Sequence, residues 1–254
     1  ATTSTTTTYT VSTDIGMCSF SDSVTINIQS APTADAGFDQ NICITGSVQV
    51  NGSGGTTYSW SPAASLDNAT IPNPMASPAT STTYYLTVTD AIGCMDTDSV
   101  LVTVSPNAII IAGPDTIVCQ GEPVNLFAFG GDTYTWSPTT GLNDPNIANP
   151  TYDGSADQTF TITGTDAFGC TGSATVTITT QTAPVVDAGP DFIINIGESV
   201  VLQGNAADPI FWSPDSTLDN PLILNPTANP LATTVYTIIA TTSAGCSSSD
   251  DMLV

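Results

Sequence analysis

Four cysteines, Cys18, Cys94, Cys170 and Cys246, follow one another at a constant step of 76 residues. Trp60, Trp136 and Trp212 keep the same step, each followed by Ser-Pro, and so do the pairs Asn73-Pro74, Asn149-Pro150 and Asn225-Pro226. A period that long is the length of a small domain rather than of a solenoid unit. The 254-residue chain therefore divides into a partial copy, 1–33, and three nearly complete ones, 34–107, 108–183 and 184–254. The partial copy corresponds to the second half of a repeat, so the strands that complete it are expected upstream of Ala1.

Each copy reads as β-structure. In the first, Ser47 to Asn51 alternates around Val48 and Val50, and Gly52 to Gly55 makes a turn. Thr56 to Ser61 then places Tyr58 and Trp60 on one face, because side chains alternate along a strand. A connection broken by Pro62, Pro72, Pro74 and Pro78 leads to two longer strands, Thr82 to Asp90 and Asp98 to Val104. Their apolar faces carry Tyr84, Leu86 and Val88, and Val100, Val102 and Val104. Helical periodicity is absent. About seven short strands per copy with frequent turn signals predict an all-β fold, tandem immunoglobulin-like sandwiches in an elongated rod of roughly 100 Å or more. The joints are short and carry Pro32, Pro106 and Pro184, which restricts hinging. Ile109-Ile110-Ile111 is expected to be buried between two neighbours.

Composition narrows the function. The chain holds 23 acidic residues and no lysine, arginine or histidine, for a net charge of −23. With no cation to neutralise phosphates, it does not bind nucleic acid, and it does not dock on anionic lipid. Histidine and lysine bases are missing, so an enzymatic role is not expected. No run of about 18 apolar residues occurs, so direct membrane insertion is not expected either.

Cys43 and Cys119 lie one step apart, each 51 residues before Cys94 or Cys170. This predicts bridges Cys43–Cys94 and Cys119–Cys170 within single repeats, each worth about 4 kcal/mol in the chain-entropy picture, and an oxidising, extracellular setting. Cys18 and Cys246 are left unpaired for different reasons: the position matching Cys43 is expected ahead of Ala1 for Cys18 and is Asn195 for Cys246, whose thiol is expected either to be buried or to form an intermolecular disulfide. Asp39, Asp115 and Asp191 recur at one repeat position near the joints. They are candidates for calcium, with no other cofactor expected, or for turn aspartates that cap backbone N–H groups. The recurring tryptophans read as core rather than as sugar-stacking residues.

The phrases Ala36-Gly-Phe-Asp39, Tyr58-Ser-Trp-Ser-Pro62 and Thr82-Thr-Tyr-Tyr-Leu-Thr-Val-Thr-Asp90-Ala-Ile-Gly-Cys94 resemble the PKD-like and immunoglobulin-like repeats of very large Bacteroidota surface proteins. Those are adhesins and gliding-motility-associated proteins exported by the type IX system. The sequence departs from the usual PKD signature in having Ser-Pro after the tryptophan. The resemblance implies a secreted stalk or filament segment on the cell surface. Its partners would be further repeats of the same polypeptide or identical chains, with a glycan- or protein-binding module as the alternative. It also implies O-glycosylation at Asp-Ser/Thr-hydrophobic triplets, with Ser23, Ser99 and Thr116 as candidates and Ser216 a looser match. Phe127 and Phe129 are the one hint of a binding face, since Asn51 and Ser53, or Gln203 and Asn205, hold their places in the other repeats.

Overall fold

The structure, a computed structural model, describes residues 5–207 and 209–254; residues 1–4 of the expected partial copy lie outside the described residues. The chain separates into two compact units, Ala1–Asn107 and Ala108–Val254. The described residues contain strands, turns and bends and no helix.

The first unit opens with a hairpin of β1 (Thr7–Ile15) and β2 (Cys18–Ile26), paired only with each other. The first full repeat follows with β3 (Gln40–Cys43), β4 (Val48–Gln49), β5 (Thr57–Ser61), β6 (Met75–Ala76), β7 (Thr82–Thr89) and β8 (Met95–Ser105). One sheet has the order β3-β8-β7-β5, with β3 parallel to β8 and the other pairs antiparallel; β4 and β6 form the facing pair. The alternation of Thr-Thr-Tyr-Tyr-Leu-Thr-Val-Thr in β7 turns Tyr84, Leu86 and Val88 inward. Together with Trp60, Val100 and Val102 they make the core between the layers.

The second unit holds two further sandwiches, each with a core of its own. One comprises β9 (Ile111–Ala112), β10 (Thr116–Cys119), β11 (Val124–Asn125), β12 (Ala128–Phe129), β13 (Thr133–Ser137), β14 (Thr151–Tyr152), β15 (Gln158–Thr165) and β16 (Thr171–Gln181). The other comprises β17 (Val200–Val201), β18 (Ile210–Ser213), β19 (Thr227–Ala228), β20 (Val235–Thr241) and β21 (Ser247–Leu253). The strand count varies among the repeats instead of holding at seven. Among the described residues, the first strand paired with the last, β3 or β10, has no counterpart strand in the third repeat, and only the second repeat adds the β9–β12 pair.

The three tryptophans are core residues, at most 2% exposed. The indole N–H of Trp60 donates to the Ile71 carbonyl at 3.1 Å, and that of Trp136 to the Ile147 carbonyl at 2.9 Å. Each tryptophan precedes a Ser-Pro bond in the cis form, at Pro62, Pro138 and Pro214.

The joint segments are tied to the last strand of each sandwich in two ways. In the first repeat, Asp96 and Asp98 of β8 accept from the backbone N–H groups of Ala34 and Ala36, both at 2.8 Å. Asp250 does the same for Ala188 at 2.9 Å. In the second repeat Gly172 and Ala174 stand in place of the two aspartates. There the chain packs directly on the strand: a Cβ on Gly172 would lie 1.9 Å from the Ala108 carbonyl oxygen. Of the three isoleucines expected to be buried between neighbours, only Ile110 is buried, in the core of its own sandwich, while Ile109 and Ile111 face outward. Strand alternation accounts for the split.

Candidate functional site

The cysteines are arranged differently from the intra-repeat pairing expected above. Cys119 is bonded to Cys246, with Cα atoms 5.5 Å apart and 127 residues between them in sequence. The bridge therefore joins the second repeat to the third, and Cys246 is not unpaired. Cys94 is a free thiol, as is Cys18. Cys43 and Cys170 are each disulfide-bonded as well.

Sheet register excludes the intra-repeat bridges. Cys43 lies opposite Ser105, at the far end of β8, whereas Cys94 immediately precedes Met95 at the near end. Ten strand residues separate those ends by roughly 33 Å, against about 7 Å as the widest Cα separation a disulfide spans. Cys119 and Cys170 are held apart in the same way, since Cys119 lies opposite Gln181 and Cys170 precedes Thr171. The parallel pairing of the first strand with the last puts one cysteine at each end of the sandwich.

Both sides of the Cys119–Cys246 bridge are shaped by short backbone motifs. Cys119 ends β10, and its carbonyl accepts from Glu122 N–H at 2.9 Å, closing a turn through Gly121, whose φ is 84°. Gln120 N–H donates to the Gln181 carbonyl at 3.0 Å. Cys246 sits in the turn between β20 and β21, where Gly245 has φ 87° and its N–H donates to the Thr242 carbonyl at 3.0 Å. The Thr242 hydroxyl accepts from Cys246 N–H at 3.1 Å. Aspartates do this work in the other repeats: Asp90 accepts from Ile92 and Cys94, and Asp166 from Phe168 and Cys170, all at 2.9 Å. Cys246 Sγ also lies 3.5 Å from the Gln181 carbonyl oxygen. With no proton on a disulfide sulfur, this is a packing contact rather than a hydrogen bond. Three elements thus meet at the junction: the end of β10, the end of β16, and the cysteine turn of the next repeat.

Asp39, Asp115 and Asp191 serve the sandwich itself. Each accepts a hydrogen bond at 2.8 Å from a backbone N–H of the last strand, that of Leu101, Thr177 and Leu253 respectively. Each carboxylate therefore joins the joint-side segment to the closing strand. Among the described residues, no group of three or more acidic or cysteine side chains is gathered in a way that could hold a metal ion. Three other aspartates are held below the ordinary carboxylate value of 3.8 by hydrogen bonds. For Asp153 the chief donor is Ser155 N–H, for Asp157 Thr180 N–H, and for Asp219 Thr227 N–H.

The O-glycosylation candidates fall on different surfaces. Ser23 and Ser99 are exposed on the outer faces of β2 and β8, and Ser216 is exposed in a turn. Thr116 is half-buried at the start of β10, its hydroxyl donating to the Pro114 carbonyl at 3.1 Å.

Phe127 and Phe129 lie on the outward side of the ribbon made by β9 and β12. Ile111 pairs directly with Phe129, and Gly113 N–H donates to the Phe127 carbonyl at 3.0 Å. Ile109, Ile111, Phe127 and Phe129 are 78%, 46%, 45% and 52% exposed. The two isoleucines add to the aromatic pair that sequence reading singled out. Their surface role was hidden because three consecutive isoleucines show no alternation.

No family model matches the chain, and no curated protein matches it. Similar solved structures include the I-band fragment I67-I69 from titin, at 13% identity over 89% of this chain and 98% of that one, with a TM-score of 0.46. A Ca2+-stabilized adhesin that helps an Antarctic bacterium reach out and bind ice is similar at 14% identity, covering 98% of this chain and 80% of that one, with a TM-score of 0.39. The N-terminal eight Ig domains of the Down Syndrome Cell Adhesion Molecule are similar at 13% identity, covering 89% of this chain and 36% of that one, with a TM-score of 0.36.

Proposed function

We propose that this chain is a load-bearing spacer segment of a secreted bacterial surface adhesin, in which a disulfide joins successive immunoglobulin-like repeats. The observation that carries the reading is the bond between Cys119 and Cys246. A bridge inside one sandwich stabilises that sandwich alone. A bridge from the end of one sandwich to the entry turn of the next also resists separation and bending of the two. A thiol bond placed there persists in an oxidising, extracellular setting. The acidic surface without lysine, arginine or histidine fits an exposed stalk, because it offers no trypsin-type cleavage site and repels neighbouring stalks. Calcium bound at such a surface and sugars on Ser23, Ser99, Thr116 and Ser216 would modify the stalk, and intact-mass measurement of the native protein tests the sugars. Negative-stain imaging tests the spacer reading. A thin rod is expected, and a compact particle overturns it.

A second reading, a module that binds a glycan or protein, rests on the ribbon face of Ile109, Ile111, Phe127 and Phe129. The first repeat has Thr33, Asp35, Asn51 and Ser53 at these positions, and the third has Val185, Asp187, Gln203 and Asn205. An apolar face carried by one repeat among three is what a binding site adds to a spacer. Adhesion of the native protein to its surface, lost in Phe127→Ser/Phe129→Ser with unchanged melting, would favour this reading. Adhesion unaffected by the pair would exclude it.

A further inference from the structure

The outward side of the β9–β12 ribbon continues into a cleft. Phe127 belongs to both. It stands on the apolar face with Ile109, Ile111 and Phe129, and it forms one wall of a cleft of about 70 Å³ whose other walls include Val124, Leu126, Val176 and Ile178. The ring is seated on Gly113, where a Cβ would lie 3.0 Å from two of its carbons. That seat, with the bond from Gly113 N–H to the Phe127 carbonyl, sets the wall in place before any partner arrives.

The lining selects the kind of occupant. A sugar needs polar groups directed at its hydroxyls, and the two polar side chains of the cleft are turned to the protein itself. The Thr116 hydroxyl donates to the Pro114 carbonyl at 3.1 Å, and Asn125 Oδ1 accepts from the Thr151 hydroxyl at 2.8 Å. What remains is apolar, which suits the end of one aliphatic side chain. An aromatic wall beside an apolar pocket is where interface anchors bind. Charge adds the rest. Asp115 lies two residues beyond Gly113 and Asp132 three beyond Phe129. Both are therefore within roughly 11 Å of the face along the chain, about one screening length. A second copy would bring like charge only, since the chain holds no lysine, arginine or histidine.

We propose that this face is the docking site of a basic protein segment. The segment sets an aliphatic side chain into the cleft beside Phe127, lays further apolar groups on Ile109, Ile111 and Phe129, and faces Asp115 and Asp132 with lysine or arginine. The proposal rests on the second reading above and deepens it, giving one partner chemistry in place of a glycan or a protein. Its two components are separable. The apolar contact governs how long a partner stays, and charge governs how fast it arrives and how strongly salt opposes it.

The oxidised full chain is titrated with the peptide Lys-Leu-Lys-Leu-Lys-Leu-Lys, with a charge-only form carrying serine for leucine, and with an apolar-only form carrying serine for lysine. Alternation puts the leucines on one face of the extended peptide. The first peptide is expected to bind at least tenfold more tightly than either control, to weaken at least tenfold at high salt, and to shift the methyl resonances of Val176 and Ile178. Phe127→Ser/Phe129→Ser, with unchanged melting, should reduce its affinity to that of the charge-only peptide. Phe168→Ser, which removes an exposed aromatic from the Asp166 turn, should leave it unchanged. Asp132→Asn should weaken the first peptide severalfold and not the apolar-only one. Equal binding of the basic peptides with and without leucine, or binding indifferent to the phenylalanine pair, overturns the proposal. So does a shift of the same methyls by cellohexaose, or a dimer of the chain that the pair abolishes. Adhesion of the native protein separates the two levels. Adhesion left intact by the pair removes the second reading itself. Adhesion abolished by the pair, but reduced neither by high salt nor by the first peptide, removes only this proposal.

Discussion

Cys119 faces Gln181 across a parallel strand pair, so the first strand of the second repeat ends at the same pole as its last strand. This pairing directs the cysteine out of its own sandwich and toward the turn of the next repeat. The bridge to Cys246 follows from it, and four expected outcomes follow from the arrangement as a whole.

Gly172 is the position where the second repeat replaces a carboxylate tie by close backbone packing. A methyl group there would lie 1.9 Å from the Ala108 carbonyl oxygen, which is backbone and cannot rotate away. Gly172→Ala should destabilise this repeat by about 3 kcal/mol through overpacking. Denaturant titration checks it; a change below about 0.5 kcal/mol would mean the joint segment is free to shift.

The buried tryptophans should differ in what their indole N–H contributes. Trp136 donates to Ile147, whereas Trp212 Nε1 is buried without a hydrogen-bond partner among the described residues. Replacement by phenylalanine removes a satisfied bond in the first case and an unsatisfied group in the second. Trp136→Phe should therefore cost about 1 kcal/mol more than Trp212→Phe. Equal losses in thermal or urea unfolding would contradict the assignment.

Asp157 sets a pH dependence of known sign. Its carboxylate accepts from Thr180 N–H at 2.6 Å and from the Thr180 hydroxyl at 2.8 Å, chiefly the former holding it below 3.8. A carboxyl depressed in the folded state adds stability above its unfolded value, and that contribution is lost as pH falls below about 3.8 through the folded value. Acid also relieves the repulsion of a chain at −23, an opposing effect, so the comparison must be differential. The melting difference between the native chain and Asp157→Asn should shrink as pH falls from 5 to 2. A difference that stays constant over that range would contradict the hydrogen-bond account.

Much of this architecture is legible in the chain. The alternation in Thr82 to Asp90 places Tyr84, Leu86 and Val88 inward, and the structure buries all three. The tryptophans, marked only by their step and by Ser-Pro, are core residues. The disulfide partners were not legible, because spacing within one repeat says nothing about which pole of a sandwich a cysteine occupies. That depends on whether Gln40 to Cys43 pairs parallel or antiparallel with the last strand, a choice made by tertiary packing. The role of Asp39, Asp115 and Asp191 was half visible. Their recurrence marked them as structural or ligating, but the N–H they cap is 62 residues away, beyond any local turn rule.

The central claim is that load passes from repeat to repeat through Cys119–Cys246, and single-molecule stretching tests it most directly. The chain is held by its termini with Cys18, Cys43 and Cys94 replaced by serine, leaving Cys119, Cys170 and Cys246. With the bridge intact, the 127-residue stretch between Cys119 and Cys246 cannot extend. At 3.3–3.6 Å per residue, reduction should lengthen the fully unfolded chain by roughly 420–460 Å. A gain of roughly 170–180 Å, the signature of a 51-residue loop closed between Cys119 and Cys170, or no gain at all, would contradict the account.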